Sequence, residues 1–123
     1  MTNVVVVQGR LSRPAAVRVL ATGQRQLELQ LSGTGPAGSG ESVPVVWPDA
    51  PAAAESLDAG EEVTVVGRVR RRFFRTGGAT ASRTEVVADE VVLTRHARRA
   101  RAAVARAAAR LPAAPSAERA GTA

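Results

Sequence analysis

Between Gln26 and Leu31 the chain reads Gln-Leu-Glu-Leu-Gln-Leu, a strict alternation of polar and apolar side chains. That period suits an extended strand with one buried face, because successive side chains of a strand point to opposite sides. The first 94 residues repeat the message in shorter pieces. Four consecutive valines open the segment Val4 to Leu11, and Val17 and Val19 alternate with Arg18. Val43, Val45, Val46 and Trp47 stop at Pro48, Val63, Val65, Val66 and Val69 surround Gly67, and Arg83 to Thr94 carries four more valines. β-Branched residues at this density favour strands. They predict an all-β fold.

The breaks between these pieces set the expected order. Ser12-Arg13-Pro14 reads as a turn, after which residues 17–31 are expected as a second strand. Residues 32–42 hold four Gly and one Pro and predict a loop with nothing to anchor a core. Beyond Pro48, Asp49 is placed to cap a short helix, with Pro51 in its first turn and Ala52, Ala53, Ala54 and Leu57 following until Gly60. Thr76-Gly77-Gly78 predicts a hairpin between the last two strands. Five strands with one short helix between strands 3 and 4 match the five-stranded Greek-key OB-fold barrel. The 17 Val, 7 Leu, two Phe and one Trp of residues 1–94 suffice for a small barrel.

Charge divides the chain in two. All 17 basic residues are Arg, set against 11 acids for a net charge of +6. Residues 1–94 hold ten Arg and ten acids, whereas residues 95–123 hold seven Arg and one acid, Glu118. A neutral domain over 1–94 is therefore expected to carry a basic segment over 95–123. From Arg95 to Leu111 the composition is mainly Ala and Arg, both strong helix formers, so a basic C-terminal helix is predicted. Its wheel gathers Arg95, Arg98, Arg99, Arg106 and Arg110 on one side, opposite Ala100, Val104, Ala107 and Leu111. Residues 112–123 have no large apolar side chain and are expected to stay disordered.

Several function classes are disfavoured by the same inventory. The chain has no Cys and a single His, His96, so neither a thiolate nucleophile nor a multi-histidine metal centre can form, and no metal ion or cofactor is expected. On a regular strand Glu85 and Asp89 would share a face and Glu90 the other, with no nucleophile beside them, so catalysis is not expected. No run approaches the roughly 18 apolar residues of a membrane span, and the Met1 end lacks a leader pattern, which points to the cytoplasm.

A binder of single-stranded nucleic acid needs cations for phosphates and aromatic planes for bases. Arg70, Arg72 and Arg75 with Phe73 and Phe74 supply both within six residues, while Arg10, Arg13 and Arg18 flank the first turn and Trp47 ends the third strand. At this point the chain resembles the bacterial single-stranded DNA-binding protein family. The likeness is carried by Gly67-Arg68-Val69-Arg70 with an aromatic soon after, and by Thr84-Glu85-Val86-Val87-Ala88-Asp89-Glu90-Val91. Gly9-Arg10-Leu11, Val17-Arg18, Val45-Val46-Trp47 and the spacing of Ala53, Leu57 and Gly60 extend it over residues 3–94.

The resemblance implies a bacterial, nucleoid-associated homo-oligomer, a tetramer with a dimer as second choice, that coats single-stranded DNA in replication, recombination or repair. Family stacking aromatics would fall on Trp47 and on Phe73 or Phe74; Arg10, Arg18, Arg70, Arg72 and Arg75 would meet phosphates, with Arg95, Arg98, Arg99, Arg106 and Arg110 as an auxiliary basic arm. The chain departs from the pattern in three places. It lacks an aromatic between the second and third strands, has a small residue at Ser82, and ends in a basic segment instead of an acidic tip. Recruitment of repair enzymes through such a tip is not expected. The alternative is an OB-fold accessory subunit of a primosome, making protein contacts and binding DNA weakly.

Overall fold

The structure, a computed structural model, describes residues 1–113. The segment 112–123, expected to be disordered, lies outside the described residues except for its first two. Six strands form: β1 (Val5–Leu11), β2 (Ala16–Val19), β3 (Arg25–Thr34), β4 (Gly40–Pro48), β5 (Glu62–Thr76) and β6 (Ala79–Leu93), followed by one α-helix, α1 (Ala97–Ala109).

The strands close on one another. β1 pairs antiparallel with β5 from Val5 to Arg10 and, at its end, with β3 through Arg10–Ser32 and Leu11–Leu31. β3 pairs with β4, β4 meets β6 in parallel at Val45–Val86 and Val46–Val87, and β6 returns to β5. The ring β1-β5-β6-β4-β3 is a barrel-like all-β fold with β2 on the outer edge of β3. Its interior takes alternate residues from each strand: Leu27, Leu29 and Leu31, Val45, Val63 and Val65, Val86 and Ala88, with Leu11. The alternation seen from Gln26 to Leu31 therefore points its leucines inward as expected.

Three local expectations are corrected. The second strand is two strands, because Leu20 donates its N–H to Gln24, with the Leu20 N–H 2.8 Å from the Gln24 carbonyl, and Gly23 takes φ 87°, turning the chain. The presumed loop 32–42 is mostly ladder: Ser32–Ser42, Gly33–Glu41 and Thr34–Gly40 extend the β3–β4 hairpin, since backbone pairing asks nothing of the side chains. Finally, no α-helix lies between strands 3 and 4. Ala52–Ser56 makes only a short 3-10 turn, and Asp49, at φ 54°, does not cap it. Arg25 holds the turn from below through the Ala50 carbonyl and the Glu55 carboxylate.

The expected C-terminal helix does form after the last strand. α1 lies on the outside of the barrel and buries Ala100, Ala103 and Ala107, the latter two packing with Val66, Val4 and Val92. Of the four residues opposite the arginines on the wheel, Ala100 and Ala107 are buried, whereas Val104 and Leu111 are 37% and 53% exposed. Small side chains win the contact because Ala lets the helix backbone sit close to the sheet.

β5 and β6 run fifteen residues each, and their register slips between Val66 and Gly67: Val66 faces Glu90 while Gly67 faces Ala88, leaving Asp89 as the extra residue of a bulge. A Cβ on Gly67 would overlap the Val87 carbonyl oxygen and approach Ala88 Cα to 3.0 Å. Glycine is needed here for close approach of the two backbones. We expect Gly67→Ala to cost about 1–3 kcal/mol, the usual penalty of overpacking, in urea unfolding followed by circular dichroism. Ala103→Asp, placing a charge where residue 103 is fully buried, is expected to undock α1 and lower the helical signal while the β signal stays.

Candidate nucleic-acid interface

Above the Arg70–Glu85 pair the β5–β6 ladder continues for six more rungs, from Arg71–Thr84 to Thr76–Ala79. Among the described residues no other strand pairs with these, since β1 leaves β5 at Gly67 and β4 touches β6 only at Val86 and Val87. A two-stranded arm therefore projects from the barrel. Asn3 marks its base by bridging the Val69 backbone, donating to the carbonyl at 2.6 Å and accepting from the N–H at 2.9 Å. Gly77 and Gly78 close its tip with φ 57° and 80°, the two left-handed residues of a tight hairpin turn whose twist suits the strands.

Residues 67–84 contain six Arg and no acid. Alternation separates them into two rows. Arg68, Arg70, Arg72 and Phe74 continue the outward row of β5 that begins with Val66, while Arg71, Phe73 and Arg75 continue the row that lower down points into the barrel. Phe73 is 65% exposed and Phe74 38%. Each ring carries a guanidinium from two residues earlier, Arg71 at 5.7 Å from the Phe73 centroid and Arg72 at 5.4 Å from that of Phe74. Arg75 folds onto the tip, 3.3 Å from the Gly78 carbonyl.

The outward row meets a charged cleft on the barrel. Glu85, only 2% exposed, is the anchor: its carboxylate takes a hydrogen bond from Arg70 and lies 3.6 Å from Arg72. A buried carboxylate that keeps two guanidiniums beside it fixes their direction, because an unpaired buried charge is far more costly than a paired one. Arg13, Arg72, Arg83, Glu28 and Glu85 share the cleft, and Arg18 joins its border through Glu28 at 3.4 Å. Five Arg (13, 18, 70, 72, 83) face two acids (28, 85) here, a local excess of three positive charges.

Of the residues expected from sequence, the structure brings Arg70, Arg72, Phe74 and Arg18 together and sets Phe73 and Arg75 on the other row of the arm. Arg10 lies apart, bonded to the Gly60 carbonyl at 3.0 Å and 3.8 Å from Glu62. Trp47 is half-buried against the core beside Ala54 and Leu57. Its level on the sheet, one step beyond Val46–Val87, is about 20 Å from that of Phe73–Ser82 at 3.3 Å per residue. Arg83 and the anchoring Glu85 were not among the expected site residues. Counting back from the Gly77-Gly78 turn would have found Arg83, since that register sets it opposite Arg72.

The helix arginines are engaged elsewhere. Arg106 donates two hydrogen bonds to Glu90 at 2.6 and 3.2 Å, Arg110 lies 3.1 Å from Asp89, and Arg95 lies 3.9 Å from Glu61. Arg98 and Arg99 are exposed and make no ion pair among the described residues. The hydrogen bonds from Arg106 hold the Glu90 carboxyl below its ordinary value; partial burial opposes this, and the charges of Arg106 and Arg110 add to it. The bulge explains how Glu90 reaches α1: it shifts the alternation, so Glu90 shares the outward side with Glu85, not the opposite side expected for a regular strand.

Compared with known proteins, the chain matches no family model and no curated sequence. No helix among the described residues is long and apolar enough to cross a membrane.

Two outcomes follow for these ion pairs. Glu85→Ala is expected to lose about 1–3 kcal/mol, because Arg70 and Arg72 keep partial access to water and escape the full penalty of a buried orphan charge. For Glu90 the folded carboxyl titrates lower than the unfolded one, near 4.3, so its contribution is complete above that pH and is lost as pH falls through the lower folded value. Unfolding free energy measured by urea from pH 6 to 2 is expected to fall over that window in the wild type, with the step reduced in Glu90→Gln.

Proposed function

We propose that this chain binds single-stranded DNA without sequence choice, through the basic arm and the cleft at its base. The observation that carries the reading is the coincidence, on one outward row, of Arg70, Arg72 and Phe74 with the Arg13–Arg83 cleft held by Glu85. Guanidiniums there can meet phosphates while the exposed ring offers a stacking plane indifferent to base identity. An exposed ring beside the guanidiniums suits the unstacked bases of a single strand, which a duplex does not offer.

The finer fold assignment belongs to the same reading. The ring order, the parallel β4–β6 contact, and β2 as an offset continuation of the first strand support an OB-fold barrel of the single-stranded DNA-binding type, with β5–β6 as its long fourth-to-fifth-strand connection. Assembly into a tetramer, or a dimer, is supported by the free edge of β2, exposed along all four residues. Light scattering at tens of micromolar tests it; a monomer would count against it. A role in replication, recombination or repair follows from coating exposed strands.

Fluorescence anisotropy with labelled oligo(dT) and a duplex of equal length tests the central claim, with much tighter binding of the single strand expected. Comparable affinities, or none, would overturn it and leave the accessory-subunit reading. The salt dependence identifies the surface. Each phosphate neutralised on a single strand contributes about −0.7 to the slope of log K against log salt, so Arg72→Ala with Arg83→Ala is expected to make the slope shallower by about 1.4. Arg106→Ala with Arg110→Ala should leave it nearly unchanged, since those guanidiniums already face Glu90 and Asp89.

A further inference from the structure

Phe73 and Phe74 are consecutive on a strand, so they stand on opposite faces of the arm, and only Phe74 shares its face with the cleft. The other face is equally developed. Arg71, Phe73 and Arg75 run along one strand and Thr80, Ser82 and Thr84, directly opposite them, along the other. Phe73 is the more exposed ring, has its own guanidinium overhead, and rests on no third strand. An aromatic packed for stability would be buried. This one crowns a cationic face with three hydroxyls, the donors that position a phosphate backbone.

We infer that the arm is two-sided: a single strand seated on the Phe74 face passes around the arm's edge and stacks a second segment on Phe73. The inference rests on the functional reading above. Its occupant is more of the same polyanion, because residues 67–84 carry six Arg and no acid to attract a protein's basic surface. The two faces are separated by the thickness of the ribbon, about 10 Å across side chains, so a strand of two or three nucleotides reaches only one of them. The short strand takes the Phe74 face, where the cleft adds Arg13, Arg72 and Arg83.

The experiment compares Phe73→Ala, Phe74→Ala and wild type, as full chains, against oligo(dT) of about three and about thirty nucleotides, lengths below and above the usual span of one such barrel. Phe74→Ala is expected to weaken both probes by about 5- to 150-fold. Phe73→Ala is expected to weaken the long probe by a similar factor and leave the short one unchanged, with Phe73→Trp restoring the long-strand affinity. Equal affinity of Phe73→Ala and wild type for the long probe overturns the two-sided arm while leaving the binding function intact. Loss on both probes also overturns it, since both rings would then serve one segment. A changed scattering mass without a change in long-strand affinity would make the Phe73 face a contact between copies. Failure of the wild type to bind either probe would remove the functional reading itself.

Discussion

The β5–β6 ladder, with its slip at Gly67, is the constraint on which the rest of the molecule depends. Below the slip, the two strands close the barrel, Val63 and Val65 facing inward with Val86 and Ala88 contributed from beyond the bulge. Above Arg70–Glu85, the same strands leave the barrel as a free arm. One extra residue, Asp89, rephases the alternation so that Val66, Glu90 and Glu85 all end on the outward side. That single shift puts an apolar seat, an acid for α1 and an anchor for two arginines on one surface. A regular ladder would have turned Glu90 away from α1.

Formal charge and effective charge are distributed differently. By count the surplus lies after residue 94, where seven Arg face one acid. In the folded chain, however, α1 lies over the part of the barrel that holds Glu61, Asp89 and Glu90, and Arg95, Arg106 and Arg110 turn to them. These exposed pairs add little stability individually, because water and salt screen them. Their consequence is electrostatic: they neutralise Glu61, Asp89 and Glu90 on the barrel, so part of the C-terminal surplus is spent there while the arm keeps six Arg and no acid of its own. α1 thus covers Val66 and Val92 while Arg98 and Arg99 stay exposed without an ion pair among the described residues.

The cleft and the arm also divide labour between rigidity and reach. Glu85 is buried and ties Arg70 and Arg72 to the barrel, so the inner part of the surface is preorganised. Phe73, Arg71 and Arg75 sit on a two-stranded ribbon that no other strand supports, and such ribbons are marginal when isolated. The barrel supplies the nucleus from which the ribbon extends. The glycine turn supplies its closure.

Much of this was legible locally. The leucines of residues 27–31 pointed inward as their spacing required, Gly77-Gly78 made the hairpin, Ala and Arg made a helix, and the Arg–Phe run marked the exposed arm. These features depend on neighbours within a few residues, through alternation, left-handed backbone freedom and helix propensity. The sequence did not reveal that Trp47 would pack behind a 3-10 turn, that residues 32–42 would pair, or that Ala103 would be buried in α1 while Val104 stayed exposed. Nor did it separate Phe73 from Phe74 or assign Glu85 its two arginines. Each of these depends on contacts between segments far apart in the chain, such as Gly67 with Ala88 and Ala103 with Val66. Alternation determines which residues share a side; only the closure of the sheet and the slip in its register determine what that side faces.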